Sequence, residues 1–476
     1  MNPYASHDFR HLINGQLVGS TARFAVLNPA YETVVAQAPD ASPEQLDAAV
    51  AAARRAQPAW GATSLAERRQ VLRALAQALQ DHQDDLATLI TLEQGKPLKA
   101  ARNEVQRAAE QVVKVAELPL ENDVIEDSAQ RRVEVAYAPL GVVGAITPWN
   151  VPIVLAMPKI SHALYTGNTI VLKPSEYTPL STLLMGEWFK DIVPAGVINI
   201  LGGGRDLGRW MSEHADINKI SFTGSVATGK KVMASAAGTL KRVTLELGGN
   251  DAAIVLDDAD PAKIAPALFG AAFINSGQIC MAIKRLYVPD ALYDPVCEAL
   301  AGIARQTRVG DGLDPDTDLG PVQNAAQAGI VAGIMADAHQ HGGRFLSGGE
   351  RLSRPGYFFE PAVVAGLAEG TRLVDEEPFG PVLPVIRYSD LDDAIRRANA
   401  TQLGLGASVW SADTERANAV ARQLDAGNVW VNRHVGVEAA VPFGGSKQSG
   451  MGCEYGVAGL RHYQQGRSLY LQKPTV

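Results

Sequence analysis

Leu65, Val71, Leu72, Leu75 and Leu79 recur at the spacing of a helix with one buried face. Polar residues mark where such helices start. Ser42-Pro-Glu-Gln45 and Ser64-Leu-Ala-Glu67 both fit the capping box, in which cap and N3 side chains satisfy free amides of the first turn. The first hundred residues therefore read as helical after a short extended start. From residue 131 the period changes. Arg132, Glu134 and, less cleanly, Ala136 alternate with Val133, Val135 and Tyr137, the pattern of a half-exposed strand. Short β-rich runs follow, separated by helix-length segments: GVVGAI (141–146), NTIVLKP (168–174), GVINIL (196–201), KISFTG (219–224), KRVTLEL (241–247) and DAAIVL (251–256).

Strands that alternate with helices imply βαβ units and a mostly parallel, doubly wound α/β sheet. Ligands of such sheets lie beyond the carboxyl ends of the strands, where Thr147 to Asn150, Lys173 to Glu176 and Thr223 to Ser225 fall. A second α/β region spans 250–440, with helices near 261–276 and 389–399 and strands at 285–288 and 427–432. No fixed-period repeat, low-complexity segment or long linker interrupts the chain.

Composition narrows the function classes. The 476 residues leave room for two to four domains of ~150 residues. With 46% hydrophobic and 20% charged residues, the chain matches a globular enzyme with a large core. The net charge of -8 is scattered, and no basic run points to nucleic acid. Cys280, Cys297 and Cys453 are too few for a disulfide framework, which favours a reducing cytoplasm. The N-terminal residues hold no apolar core of signal-peptide type. Two uncharged stretches, 135–158 and 264–283, are long enough to span a bilayer. The first carries four prolines around Trp149 and Asn150, and the second contains Asn275-Ser-Gly-Gln278, so neither reads as a membrane helix.

Several motifs are decoys. Gly224-Ser-Val-Ala-Thr-Gly229-Lys230 approaches a P-loop, but Lys231 stands where magnesium binding needs Ser or Thr. A strand-to-helix turn that offers amides to a phosphate is still compatible with it. Gly202, Gly204 and Gly208 miss the dinucleotide fingerprint by one residue. No histidine spacing suggests a metal, and His339 and His341 read as solvated loop residues.

Cys280 differs from these. It ends Asn275-Ser-Gly-Gln-Ile-Cys280, where an apolar segment gives way to a polar turn. A cysteine is more often a small buried hydrophobe than a nucleophile. Two other sites shift the balance: Glu246, which ends an apolar strand before Gly248-Gly249, and Asn150, held in the proline-flanked turn Thr147-Pro-Trp-Asn-Val-Pro152. Together TPWNVP (147–152), KPSEYTP (173–179), SFTGS (221–225), ELGG (246–249), GQIC (277–280), EEPFGPV (376–382) and PFGGSKQSG (442–450) resemble, in order, the signature motifs of the aldehyde dehydrogenase superfamily. The resemblance covers nearly the whole chain from residue 140, and the N-terminal helices fit it as well.

The resemblance implies that Cys280 attacks an aldehyde carbon, that Asn150 and the Cys280 amide hold the resulting oxyanion, and that Glu246 activates water against the thioester. For the cofactor it implies Lys173 and Glu176 at the adenosine ribose, Ser225 and Gly224 at the pyrophosphate, and Glu377 and Phe379 at the nicotinamide end. Thr147, Trp149 and Ser175 complete that wall. NAD is the expected cofactor, with NADP also open. Lys159 and Glu454 match tuning and proton-relay positions, against a bland reading as solvated or ion-paired side chains.

By the same resemblance a substrate tunnel is lined by Val151, Val154, Leu155, Pro158, Ile279, Met281, Val435 and Val437. Arg433, His434 and Glu438 would stand at its entrance. Aliphatic aldehydes, aromatic aldehydes and semialdehydes all remain open. The implied architecture is a Rossmann-type cofactor domain (1–122 and 140–248), an α/β catalytic domain (249–445) and a small β flap (123–139 and 463–476) that joins protomers into a dimer or tetramer. Two rivals stand beside the hydrolytic enzyme: a CoA-acylating semialdehyde dehydrogenase, which would not need Glu246, and a catalytically silent binding or structural homologue.

Overall fold

The computed structural model describes residues 2–474, so the last two residues of the 463–476 segment lie outside the described residues. Two open sheets form its centre. The first has five parallel strands in the spatial order Ile198–Ile200, Thr169–Lys173, Val142–Ile146, Lys219–Thr223 and Arg242–Glu246. By sequence these run third, second, first, fourth, fifth. The order thus reverses between Val142–Ile146 and Lys219–Thr223, the switch point at which doubly wound sheets bind ligands. All the residues of the Val142–Ile146, Thr169–Lys173 and Lys219–Thr223 strands are buried, as expected for a parallel sheet covered on both faces.

The second sheet has seven strands. Ala362–Ala365, Val382–Tyr388, Ile283–Pro289, Asp251–Val255, Gly406–Trp410 and Asn428–Val431 are parallel, and Arg344–Ser347 pairs antiparallel at one edge. Late in the chain, Gly450–Met451 returns to pair with Arg242–Glu246 of the first sheet. This return places residues 449–454 beside the end of the strand that carries Glu246.

A third sheet stands apart, with Arg131–Pro139 between Asp123–Asp127 and Gln464–Gln472. Its register runs unbroken from Gln464 opposite Pro139 to Gln472 opposite Arg131. The exposed Ile125 (67%) and Tyr470 (68%) lie on it.

Both capping boxes form as read, Ser42 with Gln45 and Ser64 with Glu67. The extended start is longer than expected, with four strands before residue 40. Asn14 and Gly15, at φ 51° and 73°, make the tight turn between His11–Ile13 and Gln16–Val18. Asn-Gly supplies both left-handed residues that such a hairpin requires. The first of these strands then extends the main sheet beside Ile198–Ile200.

Residues 135–158 divide into strand, turn and helix, and 264–283 into helix, short 3-10 turn and loop. Among the described residues no helix is long and apolar enough to cross a membrane, and no cluster of potential metal ligands is found. His339 is a correction to the sequence reading. It lies in the last turn of the Ala325–Gln340 helix, stacked on Phe345 at 3.9 Å, where a loop residue was expected.

Candidate active site

At the switch point a cleft of about 780 Å³ opens. Thr147 and Trp149 form one wall, Thr223, Gly224 and Ser225 the other, with Lys173, Ser175 and Glu176 beside them. Ser225 caps the Val226–Ala237 helix, its Oγ accepting the Thr228 N–H at 3.3 Å, so the free amides of a helix start border the cleft. Lys173 Nζ lies 3.5 Å from Glu176. Burial lowers the Lys173 ammonium from its ordinary range, with Glu176 opposing. The hydroxyls of Thr147 and Thr223 line this cleft, are buried, and have no partner among the described residues. Volume, helix start and unpartnered hydroxyls together fit a dinucleotide. Arg205, Arg209 and Lys231 also line the cleft, and no sequence motif had marked them for it.

Beyond the cleft, Asn275, Ser276 and Gly277 run consecutively in left-handed conformation, at φ 51°, 56° and 73°. A Cβ on Gly277 would come within 2.1 Å of the Gly380 carbonyl oxygen, so only glycine lets this loop pass the one that carries Phe379. Phe379 in turn meets Trp149 edge to face, with ring centres 5.3 Å apart.

Cys280 follows directly and is fastened from several sides. The Asn150 amide Nδ2 donates to the Gln278 carbonyl at 2.9 Å, and the Asn150 carbonyl accepts from Lys96 Nζ at 2.9 Å and Asn275 Nδ2 at 3.0 Å. A Cβ on Gly249 would lie 2.9 Å from the Cys280 carbonyl oxygen, and one on Gly248 would lie 2.1 Å from Glu377 Oε2. Gly249 therefore allows the Glu246 strand end to close on the Cys280 loop, and Gly248 allows it to pass Glu377.

Lys284 is the functional neighbour that the motifs missed. Its buried ammonium donates to the carbonyls of Ile279 (2.8 Å) and Cys280 (2.6 Å) and lies 3.5 Å from Glu377 Oε1. A lysine four residues after the cysteine, at the start of an apolar strand, was the available signal. Burial pushes the Cys280 thiol up to about 12, against the pull of Lys284. Burial likewise raises the Glu377 carboxyl to about 7, opposed by Lys284 and by the Gly249 N–H that donates to it at 3.3 Å.

Glu246 is sealed off, and among the described residues neither of its carboxylate oxygens has a hydrogen-bond partner. Burial, then repulsion from Glu454, holds its carboxyl well above the ordinary range, with Lys159 pulling down. Lys159 and Glu454 form a direct buried ion pair, both also bonded to Ser221 Oγ at 3.0 Å. The pair is buried rather than solvated, and both of its members act on the Glu246 carboxyl.

The expected tunnel residues separate into groups. Val154, Met281 and Val437 pack with Cys280 against one apolar core. Val151 and Leu155 are half-buried in the same turn and helix, while Pro158 and Ile279 are buried. Val435, at φ 66°, is half-buried against the core of the second sheet. His434 is a correction. It is no entrance residue but fully buried, bonded to Ser408 Oγ at 2.8 Å and the Met281 carbonyl at 3.0 Å. Arg433 and Glu438 do remain exposed, paired at 3.3 Å.

Comparison with known proteins agrees with this arrangement. The sequence profile of the aldehyde dehydrogenase family matches residues 17–469. The chain belongs to the aldehyde dehydrogenase family. It is accordingly an oxidoreductase, an NAD(P)-dependent aldehyde dehydrogenase. Among its relatives is a putative aldehyde dehydrogenase of Gibberella moniliformis, 37% identical, with 98% of this chain and 99% of the relative covered. The NADP-dependent succinate-semialdehyde dehydrogenase GabD of Escherichia coli is 38% identical over 95% of each chain. Among solved aldehyde dehydrogenases, the NAD+ complex from Bacillus cereus superposes with a TM-score of 0.96 at 36% identity, covering 98% of this chain and 97% of that one. The betaine aldehyde dehydrogenase of Staphylococcus aureus, also with NAD+, gives 0.94 at 33% identity, with 98% and 96% covered.

Proposed function

We propose that this aldehyde dehydrogenase converts an aldehyde to its carboxylate with NAD, through a thioester on Cys280 that is hydrolysed by water activated at Glu246. The observation that carries the reading is the closure of the Glu246 strand end, through Gly249, onto the Cys280 loop, which Asn150 holds at the Gln278 carbonyl. The first sheet would hold the cofactor and the second the nucleophile.

The thiolate of Cys280 forms a bond to the aldehyde carbon, and the carbonyl electron pair moves to oxygen. One Asn150 amide hydrogen is engaged by Gln278, which leaves the other, with the Cys280 N–H, for that oxyanion. As the C=O bond re-forms, hydride leaves the carbon and a thioester remains on Cys280. The bound dinucleotide supplies the hydride acceptor. Glu246 then takes a proton from water, the hydroxyl adds to the thioester carbon, and the C–S bond breaks to return the thiolate. Lys284 holds the Cys280 carbonyl in place and favours the thiolate. Lys159 and Glu454 set how readily Glu246 gives up its proton.

In the cleft, Lys173 and Glu176 would hold the adenosine ribose, the start of the Val226–Ala237 helix at Ser225 the pyrophosphate, and Glu377 and Phe379 the nicotinamide end. Glu377 would have to exchange its Gly249 contact for the ribose. Glu176 favours NAD by repelling a 2′-phosphate, while NADP remains within reach of Arg205 and Arg209. We also read the protein as a cytoplasmic homodimer or homotetramer, joined through the Asp123–Pro139 and Gln464–Gln472 sheet, whose exposed Ile125 and Tyr470 support that reading.

NADH absorbance with an aldehyde panel, with and without CoA, tests the whole proposal. CoA-independent NADH production with release of free acid is expected. Strict dependence on CoA would assign the thioester to acyl transfer, and no NADH with any aldehyde would leave the silent homologue.

A further inference from the structure

The Leu98–Val115 helix carries Glu104, Arg107 and Gln111 at i, i+3 and i+7, which puts them on one face. The residues on either side of Arg107 are already committed. Glu104 Oε1 accepts the Ile153 N–H at 2.9 Å and the Val154 N–H at 3.4 Å, while its Oε2 pairs with Lys96 at 2.5 Å. Gln111 Oε1 accepts the Tyr455 hydroxyl at 3.3 Å. This face therefore looks onto the first turn of the Pro152–Tyr165 helix, which holds Val154 and Leu155, and onto Tyr455.

Arg107 stands between these contacts, half-buried. Among the described residues its guanidinium has no carboxylate within 4.0 Å and no hydrogen-bond partner. The nearest acids along the helix are engaged elsewhere, Glu104 with Lys96 and Glu110 with Gln106 at 2.9 Å. Val154, Met281, Val437 and Cys280 are half-buried against the same apolar core that holds Tyr455. An uncommitted cation thus stands on the helix face turned toward Ile153, Val154 and Tyr455.

A half-buried guanidinium has lost part of its hydration, and it keeps five N–H donors in a planar fork that matches a carboxylate. The half-buried Val154, Met281 and Val437 offer apolar surface to the carbon chain of an aldehyde whose carbonyl lies at Cys280. On the basis of the proposed function, we infer that Arg107 is a specificity-determining residue that binds the tail of the substrate, and that this substrate is an aldehyde bearing a carboxylate at its far end.

Steady-state kinetics with succinic semialdehyde, butanal and betaine aldehyde tests this on wild type, Arg107→Met and Arg107→Lys. Wild type should favour the semialdehyde over butanal in kcat/KM. Arg107→Met should collapse that ratio by roughly 10- to 100-fold, chiefly through KM, since a charge-assisted pair is lost. Arg107→Lys should recover only part of it, because one ammonium cannot reproduce the two-pronged contact. Equal use of butanal by wild type, preference for betaine aldehyde, or an equal fall for every aldehyde in Arg107→Met would overturn the inference. A lower mass of Arg107→Met by light scattering would also overturn it, by placing the residue in subunit contact. If wild type oxidises butanal without preferring the semialdehyde, only this inference fails. If it oxidises nothing, the proposed function fails first.

Discussion

Around Glu454 the fold places a lysine ammonium and a serine hydroxyl, and around Glu246, on the neighbouring strand end, it places neither. Both carboxylates are sealed from solvent. Burial alone would raise Glu454, but Lys159 and Ser221 outweigh it and hold the group below its ordinary range. Burial of Glu246 is answered only by the charge of Lys159, with no hydrogen bond, and its carboxyl is held well above. A carboxylate with its partners in place stays an ion. One with none is a poor ion in a dry site, which makes it reactive toward a proton. The difference between them is thus made by partners rather than by depth.

The largest expected effect lies at Cys280. Cys280→Ala should abolish NADH formation from any aldehyde, because no other residue of the matched motifs can form the acyl intermediate. Residual turnover well above the uncatalysed rate would remove Cys280 from its role.

Next comes stability. Glu454→Gln leaves the Lys159 ammonium buried without its counter-ion, at a cost of ~3–5 kcal/mol at neutral pH. The pH dependence should differ in sign between the two sites. Glu454, with a lowered folded value, contributes stability that is present above the ordinary glutamate pKa of 4.5 and is lost as pH falls through the folded value. Glu246, with a raised folded value, contributes stability that is full below 4.5 and is lost as pH rises toward its folded value. Glu246→Gln should therefore gain on wild type as pH rises above 4.5, while the deficit of Glu454→Gln should stay level there and shrink only as pH falls below 4.5. Urea melts between pH 3.5 and 8.5 read this directly, and parallel curves for the two variants would erase the contrast.

A smaller effect is expected in the cofactor cleft. Glu176→Ser should shift the NAD to NADP ratio of kcat/KM toward NADP by about tenfold. An unchanged ratio would move the discrimination to Arg205 and Arg209.

Much of this was legible in the residues, for reasons that differ by element. The two capping boxes announced their helices because a cap is a local bargain between residues three apart. The motif glycines were readable because their reasons are steric, as Gly277 against Gly380 and Gly248 against Glu377 now make plain. Lys284 and His434 were not, since each depends on which distant strand lies alongside. His434 looked like a loop residue until Ser408 and the Met281 carbonyl were brought to its two ring nitrogens. The Asn14-Gly15 hairpin was available locally and was passed over within a segment read as mainly helical. Arg107 shows the opposite difficulty. Its importance lies in a missing partner, which no sequence pattern displays.

The contrast between the carboxylates is tested most directly by single-turnover kinetics of Glu246→Gln. The amide keeps the shape but cannot take a proton, so thioester hydrolysis should slow by ~10²–10⁴. Acylation should persist, giving a burst of NADH near one per site, a slow steady rate after it, and an acyl group on the Cys280 peptide by mass spectrometry. Neither burst nor adduct would make Glu246 the base that ionises Cys280, and near-normal turnover would contradict its part in hydrolysis.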